Sequence, residues 1–207
     1  MLNYNSRYKK LLAFMLCIII ALTFVNCKEK KLDRGETISP IKKEEGDTKM
    51  AIKITSTAFA EGEMIPKKYS CDGEGVSPVL KWENIPEDAK SLVLISDDPD
   101  APAGTWVHWV VYDMSPNINE LPEDIPPVEL LEDIEGLNLA GKQGINSAHK
   151  IGYYPPCPPS GTHRYFFKVY ALDTMLNLKS GASKKEIVRA MEGHITAQGQ
   201  LMGKYKR

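Results

Sequence analysis

The sequence predicts a mainly β domain over residues 51–207, and three observations predict it. Ile52, Ile54 and Ser56 alternate with Lys53, Thr55 and Thr57, which is the period of a half-buried strand. Three later runs, Ser91–Ser96, Trp106–Tyr112 and Tyr165–Leu172, are rich in β-branched and aromatic residues. The last two are apolar at both parities, as expected of strands covered on both faces. Connections rich in proline and glycine separate the runs, above all Pro155-Pro-Cys-Pro-Pro-Ser-Gly161.

Length and composition bound the rest. A chain of 207 residues with 43% hydrophobic content can bury a core for one ordinary domain, which excludes a disulfide mini-protein and a wholly disordered chain. Its 26 basic and 27 acidic residues give a formal charge of -1. Affinity for nucleic acid needs clustered Lys and Arg to neutralise phosphates, so no nucleic-acid partner is expected.

Ahead of the domain, Met1–Lys10 carries Arg7, Lys9 and Lys10 and no acid, and residues 11–25 are an uncharged, mostly apolar run. As a helix this run would reach only about 22 Å, short of a hydrocarbon core of roughly 30 Å. A basic segment followed by a short apolar one reads as an export signal over residues 1–26. The segment ends Phe24-Val25-Asn26-Cys27, which resembles the lipobox of bacterial lipoproteins, where the cysteine is acylated and becomes the first residue. Asn26 departs from the small residue usual at that place. Lipidation at Cys27 is the expectation; ordinary signal cleavage and an uncleaved anchor are the alternatives. Two or more acyl chains would hold the protein stably at the membrane of a bacterial cell envelope. Residues 28–50 follow with thirteen charged side chains of mixed sign, the composition of a solvated tether spanning on the order of 25 Å. Without residues 1–26 the formal charge becomes -4.

Within the domain, Ser183-Lys-Lys-Glu186 forms a capping box that opens a helix. Ile187, Val188, Ala190 and Met191 supply its apolar stripe, and Gly193 offers a left-handed stop. Ile195–Tyr205 is either a final strand or a second helix, since Gly199 and Gly203 suit neither. Residues 121–148, acidic at first and then dotted with glycine, read as a long connection.

Ionisable groups gather where strands begin. Asp97-Asp98-Pro99-Asp100 places three carboxylates in four positions, which calls for donors or a cation nearby. Pro99 and Pro102 are expected to hold this loop extended. His108 is placed on the strand face of Trp106 and Val110. Pro158-Pro-Ser-Gly-Thr-His163 delivers a second histidine to the start of an aromatic strand, with Tyr165 on its face and Arg164 on the other. Either histidine alone would be an ordinary core residue. Together with Asp98 they form a cluster suited to a phosphate or carboxylate head group.

These segments resemble the phosphatidylethanolamine-binding proteins, in the bacterial branch related to the Raf kinase inhibitor protein. The resemblance spans about Ile52 to Arg207. Its carriers are Tyr69-Ser-Cys-Asp-Gly73, Ser77-Pro-Val-Leu-Lys-Trp82, Asp98-Pro-Asp-Ala-Pro102, Trp106-Val-His-Trp109, Cys157-Pro-Pro-Ser-Gly-Thr-His-Arg-Tyr165, Gly193-His194 and Leu201-Met-Gly-Lys-Tyr205. The resemblance implies a β-sandwich-like fold of two antiparallel sheets with one or two helices near the C-terminus. It also implies a small pocket for anionic head groups such as phosphate, phosphorylethanolamine or acetate, built from Asp98, Asp100, His108 and His163, with Tyr165 beside them and Pro102 as a wall. His149 and Pro155 stand where small residues are expected, and so are read as narrowing the pocket mouth or adding a titratable group. In this pocket His108 and His163 would each present an N–H to the anion, and Asp98 would fix a tautomer or accept from an ethanolamine ammonium.

Of the four cysteines, Cys17 leaves with the signal and Cys27 is the expected acyl anchor, so Cys71 and Cys157 remain in the domain. In an exported protein they are expected to pair, tying the Asp72 loop to the loop that presents His163. The leading expectation is a lipid-anchored module that binds a small anionic or phosphorylated ligand, a phospholipid head group among the candidates, without cofactor or metal. The sequence has no G-x-S-x-G elbow, no H-E-x-x-H and no P-loop. The alternatives are an enzyme, hydrolytic or dependent on a metal held by two histidines and a carboxylate, and an inhibitor of a kinase or protease.

Overall fold

The structure, a computed structural model, describes residues 51–207. The export signal, Cys27 and the charged tether lie outside the described residues. In chain order the elements are β1 (Lys53–Thr55), β2 (Leu80–Glu83), β3 (Ser91–Asp98), β4 (Trp106–Met114), β5 (Glu120–Leu121), β6 (Lys142–Gln143), β7 (Thr162–Leu172), α1 (Lys184–Met191) and β8 (Ile195–Lys206). Two antiparallel sheets result, one ordered β1-β2-β5 and the other β6-β4-β3-β7-β8.

The core lies where the faces of the sheets meet. Leu80 and Trp82 of β2 join Leu92, Leu94, Trp109, Val111, Tyr165, Phe167 and Val169, each no more than 2% exposed. Each such side chain removed from water contributes roughly 1.5–3 kcal/mol. A second cluster on the outer face of the larger sheet sets Val93, Ile95, Val110 and Tyr112 against Ile187 and Met191 of α1. The capping box forms, with Ser183 accepting from the Glu186 amide and Glu186 accepting from the Ser183 amide. Gly193 has φ of 80°, the left-handed stop. The helical stripe is narrower than expected, because Val188 is 41% exposed. Phe166, Lys168 and Tyr170 of β7 are only half-buried, so that strand is fully covered on one face alone.

Ile195–Lys206 is a strand, paired with β7 from Ile195 opposite Leu172 to Lys206 opposite Thr162. Its two glycines admit other parts of the chain. A Cβ at Gly199 would stand 1.8 Å from the Ile52 carbonyl oxygen, and one at Gly203 would stand 2.6 Å from Ile65 Cγ1. Backbone bonds from Ile52 to Gln198, Gly62 to Met202 and Ile65 to Lys204 fasten residues 52–65 along β8.

The 121–148 connection is organised by one buried amide. Gln143 accepts from Trp109 Nε1 at 2.7 Å and donates to the carbonyls of Pro126 and Val128, each at 2.8 Å. With its polar atoms so paired, Gln143 can sit fully buried and hold a long segment in place.

Candidate binding site

Antiparallel pairing brings the end of β3 and the starts of β4 and β7 to one edge of the larger sheet: Asp98 faces Trp106, and Asp97 faces Phe166. A cavity of about 380 Å³ opens there, lined by Asp98, Ala101, Pro102, Ala103, Trp106, His108, Tyr154, Cys157, Pro158, Pro159, His163 and Tyr165.

The three clustered carboxylates face three different sets of partners. Asp97 and Asp98 belong to β3 itself, and strand alternation sends them to opposite faces. Asp97 meets Lys168 at 2.8 Å and Lys184 at 2.5 Å on the helix side. Asp98 accepts from His163 Nδ1 at 2.7 Å and from the Asp100 amide at 2.8 Å. That second bond closes a tight turn, so the loop is not extended as its prolines suggested: the carboxylate of Asp98 caps its own backbone two residues on. Asp100 does not line the cavity. It holds Arg164, accepting from the backbone amide at 3.0 Å, Nε at 2.9 Å and Nη2 at 2.6 Å. Hydrogen bonding to the Arg164 guanidinium pulls its carboxyl down to about 2. Asp100 thereby ties the 98–102 turn to β7.

His108 occupies a β-bulge. Trp109 pairs with Ser96 and Val107 with Asp97, which leaves His108 as the extra residue on β4. The bulge changes the parity expected from the sequence: Val107 and Val110 pack on the helix side, whereas His108 turns to the inner face and meets the Tyr165 ring edge-on at 5.1 Å. It therefore does not share a face with Val110. Its Nδ1 lies 2.7 Å from the Tyr154 carbonyl, and its own carbonyl accepts from the Tyr154 amide at 2.8 Å. A carbonyl can only accept, so Nδ1 carries the proton. Burial holds His108 below the ordinary imidazole range, although the Tyr154 carbonyl and Asp98 act the other way. A neutral ring with its proton on Nδ1 presents a lone pair at Nε2. In that neutral form His108 offers the cavity an acceptor at Nε2 in place of an N–H.

His163, 7% exposed, presents the complementary case. The Asp98 carboxylate accepts from Nδ1, and Nε2 has no protein partner among the described residues. When the ring is protonated this nitrogen is a donor. Tyr165 is buried and its hydroxyl has no partner among the described residues, and burial followed by the Asp98 charge pushes its ionisation upward. Pro102 forms part of the cavity wall.

His149 and Pro155 are not at the mouth. His149 is exposed, with φ of 58°, and its amide donates to Asn146; Pro155 packs toward Gly75. The mouth is instead shaped by Tyr154, Pro158 and Pro159, with Trp106 and Tyr154 rings 6.0 Å apart. The sequence sets Trp106 beside His108 without assigning it to the pocket, and it does not point to Tyr154. Trp106 stands two residues before His108, a spacing that could have flagged it; nothing local marks Tyr154. Cys71 and Cys157 are at bonding distance, with Cα atoms 5.4 Å apart, and Cys157 lines the cavity. No three His, Cys, Asp or Glu side chains among the described residues are grouped to hold a metal ion.

Comparison with known proteins agrees with this architecture. A sequence model described as phosphatidylethanolamine-binding protein matches residues 55–206. A UPF0098 protein of Methanothermobacter thermautotrophicus is 46% identical over 156 residues, covering 75% of this chain and 99% of its own length. Another from Aquifex aeolicus is 50% identical over 159 residues, covering 75% and 89%. Among solved structures, a putative phosphatidylethanolamine-binding protein homolog from Chlamydia trachomatis aligns with a TM-score of 0.67 and 46% identity, over 76% of this chain and 98% of its own. YbcL of E. coli, described as a new member of the mammalian family, aligns with a TM-score of 0.67 and 29% identity, over 76% and 99%.

Proposed function

Because the chain belongs to the phosphatidylethanolamine-binding protein family, we propose that it binds the phosphate or carboxylate group of a small ligand in the cavity at the ends of β3, β4 and β7. The observation that carries this reading is the pair of buried histidines whose Nδ1 atoms are spent on Asp98 and on the Tyr154 carbonyl. Each ring is thereby fixed in orientation and keeps Nε2 for a ligand. Small or apolar side chains, Ala101, Pro102, Ala103, Pro158 and Pro159, make up much of the wall and lower the local dielectric around these few polar groups. A cavity of about 380 Å³ stands at the small end of ligand sites, which run from roughly 300 to 1,000 Å³, and admits a phosphate with a short organic substituent.

The same proposal places the domain on a bacterial envelope membrane through acylated Cys27 and the charged tether, as a binding or regulatory module. The basic segment, apolar run and cysteine of residues 1–27 support that placement. An oxidising envelope compartment would also let Cys71 and Cys157 pair.

The test is calorimetric titration of inorganic phosphate into the wild-type and His163→Ala proteins. Losing the donor is expected to weaken binding at least tenfold, about 1.4 kcal/mol. Unchanged affinity in a folded variant would remove His163 from the site.

A further inference from the structure

Once His163 is protonated, the two histidines offer opposite hydrogen-bonding characters to a ligand. His163 Nδ1–H donates to Asp98, and when the ring is protonated Nε2 also carries a proton and donates. His108 Nδ1–H donates to the Tyr154 carbonyl and the ring sits 4% exposed, so in its neutral form Nε2 offers only a lone pair. The groups that face His108 are Asp98 and, more remotely, Asp97 from β3, His163 and Tyr165 from β7, and Tyr154 from the preceding connection. Asp97 is engaged on the other face by Lys168 and Lys184. A donor and an acceptor side by side suit an oxyacid that is charged on one oxygen and protonated on another.

The balance of charge favours the same ligand. Even with His163 protonated, Asp98 would offset its charge, and the nearby Arg164 guanidinium does not line the cavity and is taken by Asp100. The cavity therefore holds no surplus positive charge for a dianion, and an unbalanced second negative charge in a mostly apolar pocket would carry a large desolvation cost.

We propose that His108 is a specificity-determining acceptor that requires a proton on the ligand, so that the cavity takes inorganic phosphate or a phosphate monoester in protonated form and discriminates against sulfate and phosphate diesters. This rests on the anion-binding reading above and narrows it. A phosphate monoester keeps its last proton up to about pH 6 and donates it to His108 Nε2. Sulfate and a diester have no such proton near neutrality, and would set an oxygen lone pair against the lone pair of Nε2. The resulting penalty is that of a buried acceptor left without a donor. A phospholipid head group, being a diester, falls on the disfavoured side.

The experiment titrates inorganic phosphate, sulfate and dimethyl phosphate into the full-length chain in detergent at about pH 6, where the monoester-type proton is retained. Phosphate is expected to bind at least tenfold more tightly than either competitor. Nitrogen-15 spectra of the imidazoles should place His108 Nε2 in the unprotonated range in both the free and the phosphate-bound protein. His108→Gln, whose amide can turn either a donor or an acceptor inward, should bring the phosphate-to-sulfate ratio toward one. Equal affinity of the wild type for phosphate and sulfate, or a protonated His108 Nε2 in the phosphate complex, would overturn the selectivity while leaving anion binding standing. Failure of all three probes to bind would overturn the anion-binding reading, and this inference with it.

Discussion

Replacing both Cys71 and Cys157 by serine tests whether the Pro-rich wall is fastened covalently. The two residues are 86 apart in sequence, so the bond would close a loop of nearly ninety residues. For a loop of that length the chain-entropy treatment gives a denatured-state loss of about 15 cal/mol/K, which is about 4–5 kcal/mol at 25 °C. That figure is an upper one, since the denatured chain keeps some structure of its own. From about a third to nearly all of a domain's net stability of about 5–15 kcal/mol would then depend on this link. The assay is urea unfolding of the oxidised wild type, the reduced wild type and the double variant, followed by tryptophan fluorescence. Both the reduced and the double-variant proteins should lose about 2–5 kcal/mol relative to the oxidised one. A loss below about 1 kcal/mol, or two titratable thiols in the unfolded but unreduced wild type apart from Cys17 and Cys27, would refute the reasoning.

Two further outcomes are expected. Gly199→Ala would drive a methyl group into the Ile52 carbonyl, forcing apart the Ile52–Gln198 backbone bond and lifting buried Ile52. The cost should be about 2–4 kcal/mol in chemical denaturation, with phosphate affinity unchanged because Gly199 takes no part in the cavity; a loss under about 0.5 kcal/mol would mean that β8 and the 52–65 segment are not tightly joined. Asp100, held at about 2 by Arg164, favours the folded state at pH values above its ordinary range, and this contribution is lost as pH falls from about 4 to about 2. Since half of the Arg164 side chain is exposed, the effect should stay below about 1 kcal/mol; Asp100→Asn should flatten that part of the acid-unfolding curve, and an unaltered curve would count against the pair.

What was legible in the sequence was local. Alternation at Ile52–Thr57, the β-branched and aromatic runs that became β3, β4 and β7, and the Ser183–Glu186 capping box each declare themselves within a few residues. The site was legible as a set of residue types, with Asp98, His108 and His163 at strand ends, but not as a set of orientations. Those depend on pairing register. The bulge that turns His108 inward exists only because Trp109 pairs with Ser96 while Val107 pairs with Asp97, and no local pattern in β4 announces it. Likewise, Asp97, Asp98 and Asp100 look equivalent in sequence, yet their partners come from positions more than sixty residues away. Tyr154 enters the cavity through a loop whose course is set by distant contacts. The glycines of β8 argued against a strand locally, and their reason lay in a segment about 140 residues earlier.

The fastening of residues 52–65 along β8 has a colloidal consequence. A twelve-residue outer strand with open amides and carbonyls would be a template for pairing with a neighbouring molecule. Here Gln198, Met202 and Lys204 give their carbonyls to Ile52, Gly62 and Ile65 of the same chain. At the opposite margin of that sheet, β6 is only two residues long. A protein crowded at high local density on a surface would meet its neighbours edge to edge, and a sheet whose long margin is already taken and whose other margin is brief offers them little to add to.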